Sequence, residues 1–488
     1  MTQQEIRKIL DLGVLLSTQR DKNKLLARIL DCMMELAHCD AGTLYLLKNN
    51  TLQFRILRND TLGLRRGEDG QPADLPPVPL SRENLCARSV LEGRTIRIDD
   101  VAGCSDPALT GPARYDALTG YRTRSMLVVP MKGSGGEPLG ALQLINALGE
   151  DGQVQSFSED MTLVLESAAS QAALTIQNSQ YVAQIRELFH SFVRAMSSAI
   201  DARSPYNGNH TKHMAACGER FIEFVNQQAA SRGEPIPFDP QHTEEFLTSV
   251  WLHDIGKLVI PLEIMDKPAR LLPGQRSEFL HRMERIRLLG QIDALSGGST
   301  DPEQLVEETR SAEELVKQCD TIGYLTDGCL AKLEQLAQKQ YTGTDGKLHP
   351  WLEKEELEML SIRKGTLSEE ERQQIQNHVR MTDHLLSQIA LPAELSHVQA
   401  WAGAHHEFLD GSGYPQHLKG EQLPLEVRLL TILDIFDALT AADRPYKPGM
   451  PVEMALDILQ HMAQTEGKLD AQLVKLFAES RCWSGEKA

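Results

Sequence analysis

Two hydrophobic patterns divide the chain near residue 158. Before that point, apolar residues alternate with polar ones in short runs such as Leu52, Phe54 and Ile56, which predicts half-buried strands. The glycines of residues 133–136 lie between two apolar runs and predict a hairpin turn. After residue 158, apolar residues recur every three or four positions, which predicts helices. The sequence therefore predicts an α+β N-terminal domain and an all-α C-terminal domain.

A long amphipathic pattern connects the two halves over residues 159–200. Its apolar residues alternate between spacings of three and four, with one slip, as in a parallel coiled coil. We therefore predict a homodimer through this helix; the alternative is a helix that packs on its own domain. The apolar positions are Leu165, Ala169, Ala172, Ile176, Val182, Ile185, Phe189, Phe192 and Met196.

Composition limits the classes of function. The 488 residues suffice for two to four domains, and their net charge of −18 argues against binding to a nucleic-acid polymer. The eight cysteines are scattered without a CxxC pair, as expected in a reducing compartment. With no signal peptide and no apolar run near the length of about 18 residues that a membrane span needs, we expect a cytoplasmic protein.

In the C-terminal half, the predicted helices carry histidines and acids that are candidate metal ligands. Ser368 and Glu371 have capping-box spacing, and the helix they begin carries His378 on its apolar face. Thr243 is a candidate cap for the helix that leads to His253. Asp434 shares a helical face with core residues, where burial is costly without a cation or hydrogen bonds. Because histidines and carboxylates are common metal ligands, the pattern indicates a metal site.

The motifs resemble those of the HD-GYP phosphodiesterases, a subgroup of the HD hydrolases, over roughly 200–270 and 362–465. The doublet His253-Asp254 and the turn 413–415, Gly-Tyr-Pro, carry this resemblance. It implies two divalent metal ions per chain. Iron and manganese are the preferred candidates, with zinc, nickel and cobalt as alternatives. Tyr206 stands where some members use a glutamate to hold a third metal. The implied ligands are His210, His253, Asp254, His378, His405, His406 and Asp434.

The resemblance also implies roles around the metals. Asp254 would bridge the two ions, and Lys257 would face the scissile phosphate, so both are predicted catalytic residues. Substrate would contact Lys257, Tyr414, Arg444 and Lys447, although Arg444 lies one position farther from the last ligand than is usual. The loop around Tyr414 is also a candidate surface for protein partners.

Two acids near the implied ligands are assigned different roles. Glu407 is predicted to orient a ligand histidine. Asp437 is predicted to be a structural hydrogen-bond acceptor.

The implied activity is hydrolysis of cyclic di-GMP to pGpG, to GMP or to both. Preference for cyclic GMP-AMP is an open alternative, because the residues that choose between the bases cannot be identified. A nucleotidase that acts on nucleoside triphosphates or alarmones, and a catalytically silent dinucleotide receptor, are the rival functions.

The N-terminal pattern resembles a GAF sensory domain, most clearly at residues 122–130 and 140–146. Some GAF domains bind cyclic nucleotides, but Ala147 and Phe157 place the matching motifs out of register. We therefore expect a regulatory domain with an unknown ligand, or a module that serves only packing or dimerisation.

These resemblances divide the chain into three parts: residues 1–158 as the GAF-like domain, 159–200 as a signalling helix and 201–488 as the hydrolase. The hydrolase part departs from the family pattern, because about a hundred extra residues separate Lys267-Pro268 from His378. We predict an insertion at about 271–365 that forms a helical hairpin.

Overall fold

The computed structural model describes residues 22–68, 75–203, 209–321, 323–441 and 449–484. The chain forms two compact units, Met1–Leu188 and Phe189–Ala488, here called the N-terminal and C-terminal units. In the described part of the chain, no helix has both the length and the apolar character that crossing a membrane requires.

The N-terminal unit is built on an antiparallel sheet with the order β3-β2-β1-β7-β6-β5, in which β4 pairs with β2 and β8 with β7. The α+β prediction is confirmed, and the glycine-rich turn joins β6 to β7 as expected. The strands are β1 Cys39–Lys48, β2 Thr51–Asn59, β3 Leu64–Arg66, β4 Val78–Pro79, β5 Ile96–Ile98, β6 Met126–Lys132, β7 Pro138–Leu148 and β8 Val154–Gln155. The helices that begin in this unit are α1 Lys22–Ala37, α2 Leu85–Glu92, α3 Thr110–Thr119 and α4 Glu159–Asp201.

Helix α4 confirms the predicted long helix, but its apolar positions do not share one environment. Leu165, Ala169, Ala172 and Ile176 are buried in the core that α1 and the sheet form, so they pack on their own domain. The small alanines allow this close approach to neighbouring elements. The later positions Val182, Ile185 and Phe192 are 61%, 66% and 57% exposed.

The C-terminal unit is almost entirely helical, as predicted. Its main core joins α5, α6, α14, α15 and α16 through buried aliphatic and aromatic side chains such as Phe221, Phe246 and Phe477. Its helices are α5 His210–Ser231, α6 Pro240–Leu252, α7 Leu262–Met265, α8 Pro273–Leu295, α9 Pro302–Cys319, α10 Asp327–Gln338, α11 Lys354–Leu360, α12 Glu369–Leu386, α13 Val398–Ala402, α14 Leu425–Thr440, α15 Val452–Gln464 and α16 Ala471–Ser480.

The inserted segment contains more helices than the predicted helical hairpin and has a core of its own. Helices α8 to α11 surround a separate core that includes Phe279, Leu333 and Trp351. The strands β9 Gln340–Thr342 and β10 Leu348–Pro350 form a small hairpin within this segment. Strands of three residues are too short to show alternation in the sequence, so this hairpin was not predicted. Buried Arg270 ties the base of the insertion together by donating to the carbonyls of Cys319, Thr321, Gly323 and Ile362.

Candidate metal centre

Five helical segments bring all seven predicted ligands together. His210 is the first residue of α5, and His253 and Asp254 follow directly after α6. His378 lies in α12, Asp434 lies in α14, and the adjacent pair 405–406 follows the short helix α13. Two groups have ligand atoms close enough to hold a metal ion: His210, His253 and Asp254; and His378, His405 and His406.

The carboxylate of Asp254 lies between the two groups. Its Oδ2 is 3.2 Å from His253 Nε2 and 3.8 Å from His210 Nε2. Its Oδ1 is 3.4 Å from His378 Nε2 and 3.9 Å from His405 Nε2. One oxygen of this carboxylate therefore faces each histidine group, as a bridging ligand requires.

Asp434 spans the same two groups on another side. Its Oδ1 lies 3.4 Å from His210 Nε2, and its Oδ2 lies 3.6 Å from His406 Nδ1. Each histidine group thus has carboxylate oxygen from both acids, although the seven residues come from distant parts of the sequence.

Hydrogen bonds turn the imidazoles so that Nε2 points inward. The Nδ1 atoms of His253, His378 and His405 each donate to the carbonyl three residues earlier, at 2.7, 2.6 and 2.7 Å. Asp437 accepts from His210 Nδ1 at 2.6 Å. Outer partners of this kind fix the tautomer and raise the basicity of a ligand histidine. The acceptor role predicted for Asp437 therefore serves a predicted ligand directly.

Two of the ligand candidates have protonation states that suit a cationic occupant. Burial lowers the pKa of His378 to about 4 and holds the pKa of His405 well below its usual range, so both rings are neutral. Burial alone would raise the pKa of Asp254, but the charges of His253 and Lys257 hold it well below the ordinary value. The pKa of His210 is different: burial opposes the charge, yet nearby carboxylates raise it to about 10.

One buried atom supports the fit of this site to a metal ion. His253 is fully buried, and its Nε2 makes no hydrogen bond of acceptable geometry among the described residues, although Asp254 Oδ2 lies 3.2 Å away. Buried polar atoms in native proteins are almost always satisfied, and a metal ion held by both groups would satisfy this nitrogen. Five imidazoles and two carboxylates are a donor set suited to divalent transition metals.

Two threonines that the sequence analysis missed hold the ligand segments in place. Thr382 Oγ1 donates to His253 O at 2.8 Å and accepts from Gly256 N at 3.0 Å. Thr431 Oγ1 is 2.8 Å from His405 O. Their only sequence signal was helical spacing, since Thr382 lies four residues after His378 and Thr431 three before Asp434.

Lys257 lies at the edge of the site. Its Nζ is 2.5 Å from Asp254 Oδ2, and its side chain is 23% exposed. The ammonium group therefore contacts the central carboxylate, and part of the Lys257 side chain is accessible to solvent. This position is compatible with the predicted contact to a substrate phosphate.

The loop after the histidine pair is held close to the site. Tyr414 N donates to His406 O at 3.1 Å, and the two rings are 4.9 Å apart. Gly413 is required here, because a Cβ would lie 2.5 Å from His406 O. The role predicted for Glu407 is wrong: rather than orienting a ligand histidine, it accepts from the backbone N–H groups of residues 416–418 and orders the loop.

Three predicted positions lie outside the described residues: Tyr206, Arg444 and Lys447.

Comparisons with known proteins agree with this architecture. Residues 21–176 match the GAF domain family, and residues 355–473 match the HD domain family. The chain contains a GAF domain and an HD domain. The HD match includes the ligand candidates His378, His405, His406 and Asp434.

Curated relatives match over shorter segments. A 3'3'-cGAMP-specific phosphodiesterase 3 of Vibrio cholerae is 41% identical over 101 residues, which are 21% of this chain and 21% of that protein. The cyclic di-GMP phosphodiesterase response regulator RpfG of Xanthomonas campestris is 40% identical over 101 residues, which are 20% of this chain and 25% of that protein. The chain thus spans about a quarter of the length of these relatives.

Solved structures match part of the chain at low similarity. The GAF domain of a phosphoenolpyruvate-protein phosphotransferase from Coxiella burnetii is 14% identical, with a TM-score of 0.30, over 37% of this chain and 96% of that one.

The HD domain geometry predicts that Asp437 supports metal binding through His210. In Asp437→Ala, the imidazole of His210 loses its 2.6 Å acceptor, so the affinity for Mn²⁺ should fall by about 10- to 100-fold. Competition with a fluorescent chelator measures this change. Asp457→Ala removes an exposed acid in α15 and should leave the affinity unchanged. Equal affinities of the two variants would contradict the orienting role of Asp437.

Proposed function

We propose that the C-terminal unit is a metal-dependent phosphodiesterase that hydrolyses cyclic di-GMP to pGpG, GMP or both. The observation that carries this proposal is the Asp254 carboxylate, with one oxygen toward each of two histidine groups. The names of the matched relatives, cyclic di-GMP and 3'3'-cGAMP phosphodiesterases, support a cyclic dinucleotide as substrate.

The proposed cofactor is a pair of divalent ions per chain, with iron and manganese as the preferred candidates. When bound, such ions lower the pKa of water and neutralise charge on a phosphodiester. His210, His253 and Asp254 would hold one ion, with Asp254 shared with the other. The candidates for the second ion are His378, His405 and His406, and Asp434 is in reach of both.

The protein groups around the metals have separate proposed tasks. Lys257 adds a positive charge beside Asp254, where it would bind a nonbridging phosphate oxygen of the substrate. The ring of Tyr414, packed on His406, would form part of the wall against which the dinucleotide lies. Arg444 and Lys447 are proposed to bind phosphate from the segment outside the described residues.

Cyclic GMP-AMP is the second candidate substrate. It is favoured by the names of three matched relatives from Vibrio cholerae, which are 3'3'-cGAMP-specific phosphodiesterases. The same two-ion chemistry would serve either dinucleotide, since both contain the same kind of phosphodiester bond.

We further propose that the GAF domain regulates this hydrolase through α4 in a homodimer. In this proposal, residues 1–158 are the regulatory domain, 159–200 the signalling helix and 201–488 the hydrolase. The exposed residues Val182, Ile185 and Phe192 support an interchain contact later along α4 than the first part of the predicted seam. The loop around Tyr414 is proposed as a surface for protein partners.

The phosphodiesterase proposal predicts that Asp254→Ala abolishes turnover. Losing the shared carboxylate removes a ligand from both proposed ions, so hydrolysis of cyclic di-GMP should fall by several orders of magnitude while helicity is retained. Chromatography of the products from metal-loaded protein measures this, with Asp457→Ala as the control.

A panel of substrates decides between the alternatives. Selective turnover of cyclic GMP-AMP would favour the second candidate, and turnover of nucleoside triphosphates alone would indicate a nucleotidase. Tight dinucleotide binding without hydrolysis would identify a receptor. Normal turnover by a folded Asp254→Ala protein would contradict the proposed mechanism.

The dimer proposal predicts that Ile185→Asp weakens association. The variant places two like charges near each other on an apolar helix face, where each is poorly solvated. Sedimentation at micromolar concentration should show a dimer for the wild type and for Asn178→Asp, which adds the same charge at an exposed polar position of α4. A monomeric wild type, or an Ile185→Asp variant that remains a tight dimer, would refute the proposal.

A further inference from the structure

The last turns of α4 are built into the C-terminal unit. Val193 and Ile200 are 4% and 6% exposed and belong to a buried cluster with Leu252 and Ile255. These two partners flank the His253-Asp254 doublet on both sides. The end of α4 therefore packs against the segment that carries the central carboxylate.

Two polar side chains extend this contact from apolar packing to the segments that adjoin the ligands. Asp201, the last residue of α4, is 6% exposed. Its Oδ1 accepts from Thr211 Oγ1 at 3.1 Å, and its Oδ2 lies 3.4 Å from Thr211 N. Thr211 directly follows His210, so Asp201 restrains the first turn of α5, where that ligand lies.

Arg203 makes a second contact, to the segment that follows Asp254 in the sequence. Its guanidinium donates from Nη1 to Lys257 O at 2.6 Å and from Nη2 to Ile260 O at 3.2 Å. These carbonyls belong to the 3₁₀ turn Ile255–Val259 and the residue that follows it. Arg203 therefore restrains the turn on which Lys257 is carried.

The burial of Asp201 argues for a function in positioning. An ionised carboxylate is costly to bury, and the hydrogen bonds that this one makes among the described residues go to Thr211 alone. A neutral side chain could fill the same space at lower cost. Metal–ligand distances, by contrast, tolerate deviations of only about 0.2 Å, so restraint of α5 has a direct effect on binding.

We propose that Asp201 and Arg203 are positioning residues that set His210 and Lys257 relative to Asp254 from the end of α4. The proposal rests on the metal site of the proposed function and goes beyond it, because it assigns two residues outside the ligand set. A displacement of the end of α4 would reach the reacting groups through Thr211 and through the turn that carries Lys257.

The role of Asp201 is tested with variants of Asp201 and Thr211 in the full-length chain. Asp201→Ala and Thr211→Val should each lower the affinity for Mn²⁺ by about tenfold, as expected for loss of an outer partner. Their double variant should be little worse than Asp201→Ala, because both changes remove the hydrogen bond between Asp201 Oδ1 and Thr211 Oγ1. Asp201→Asn, which keeps one acceptor oxygen, should recover part of the loss. Calorimetric titration of metal-free protein with Mn²⁺ gives these affinities.

The matched control is Asp239→Ala. Asp239 caps α6 by accepting from His242 N at 2.8 Å, at the end of that helix away from His253. Its loss should lower the unfolding temperature and leave the Mn²⁺ affinity unchanged. If Asp201→Ala and Thr211→Val behave like this control, both contacts are merely structural and the proposal for Asp201 is overturned.

Arg203 is tested by Arg203→Gln. Since Lys257 is not a proposed metal ligand, the Mn²⁺ affinity should stay at the wild-type value, while kcat for the dinucleotide that the wild type hydrolyses falls at least about tenfold with little change in KM. A fall in Mn²⁺ affinity, or an unchanged kcat, would overturn the role assigned to Arg203.

The outcomes separate this inference from the proposed function. A wild type that binds Mn²⁺ but hydrolyses no cyclic dinucleotide would refute the activity and with it the role of Arg203, whereas the affinities would still decide the role of Asp201. A wild type that binds no Mn²⁺ would overturn the metal centre and the positioning residues together.

Discussion

The arrangement of the C-terminal unit depends on the burial of one carboxylate, that of Asp254. An ionised acid in such a place costs several kcal/mol unless positive charge and hydrogen bonds surround it. Lys257 supplies one positive charge, and the inward-facing imidazoles offer nitrogen ligands for cations that would supply further positive charge. The helices that bear those imidazoles must therefore converge, and Thr382 and Thr431 hold two of the converging segments by hydrogen bonds to backbone. Fold and candidate chemistry share one cause.

Local sequence rules predicted those parts of the structure that local interactions determine. Ser368 forms the expected capping box with Glu371, with contacts of 3.1 and 2.9 Å, and His378 points inward on the helix that follows. The cap of α6 is Asp239, rather than the predicted Thr243, and the helix begins at Pro240. Thr243 and Asp239 both suit a helix start, and the proline directly after Asp239 is the feature that distinguishes them.

Long-range contacts were less predictable. The spacing of Leu165 and Ile176 fits a coiled-coil seam as well as a helix that packs on the sheet of its own domain, and the structure shows the second arrangement. Periodicity alone therefore does not identify the surface against which a helix packs. Glu407 lies next to a ligand candidate in sequence, yet its carboxylate turns to the loop backbone. Asp201 was not found because it lies outside every motif, and only the three-dimensional structure brings it to Thr211. The family resemblance, by contrast, named all seven ligand candidates that converge.

The most direct test of the central claim is a crystal structure of metal-loaded protein with anomalous diffraction at the absorption edge of the bound metal. The account predicts two anomalous peaks per chain, one on each side of Asp254, each at a bonding distance of about 2.0–2.2 Å from one of its oxygens. One peak, three peaks, or two peaks that do not share Asp254 would contradict it.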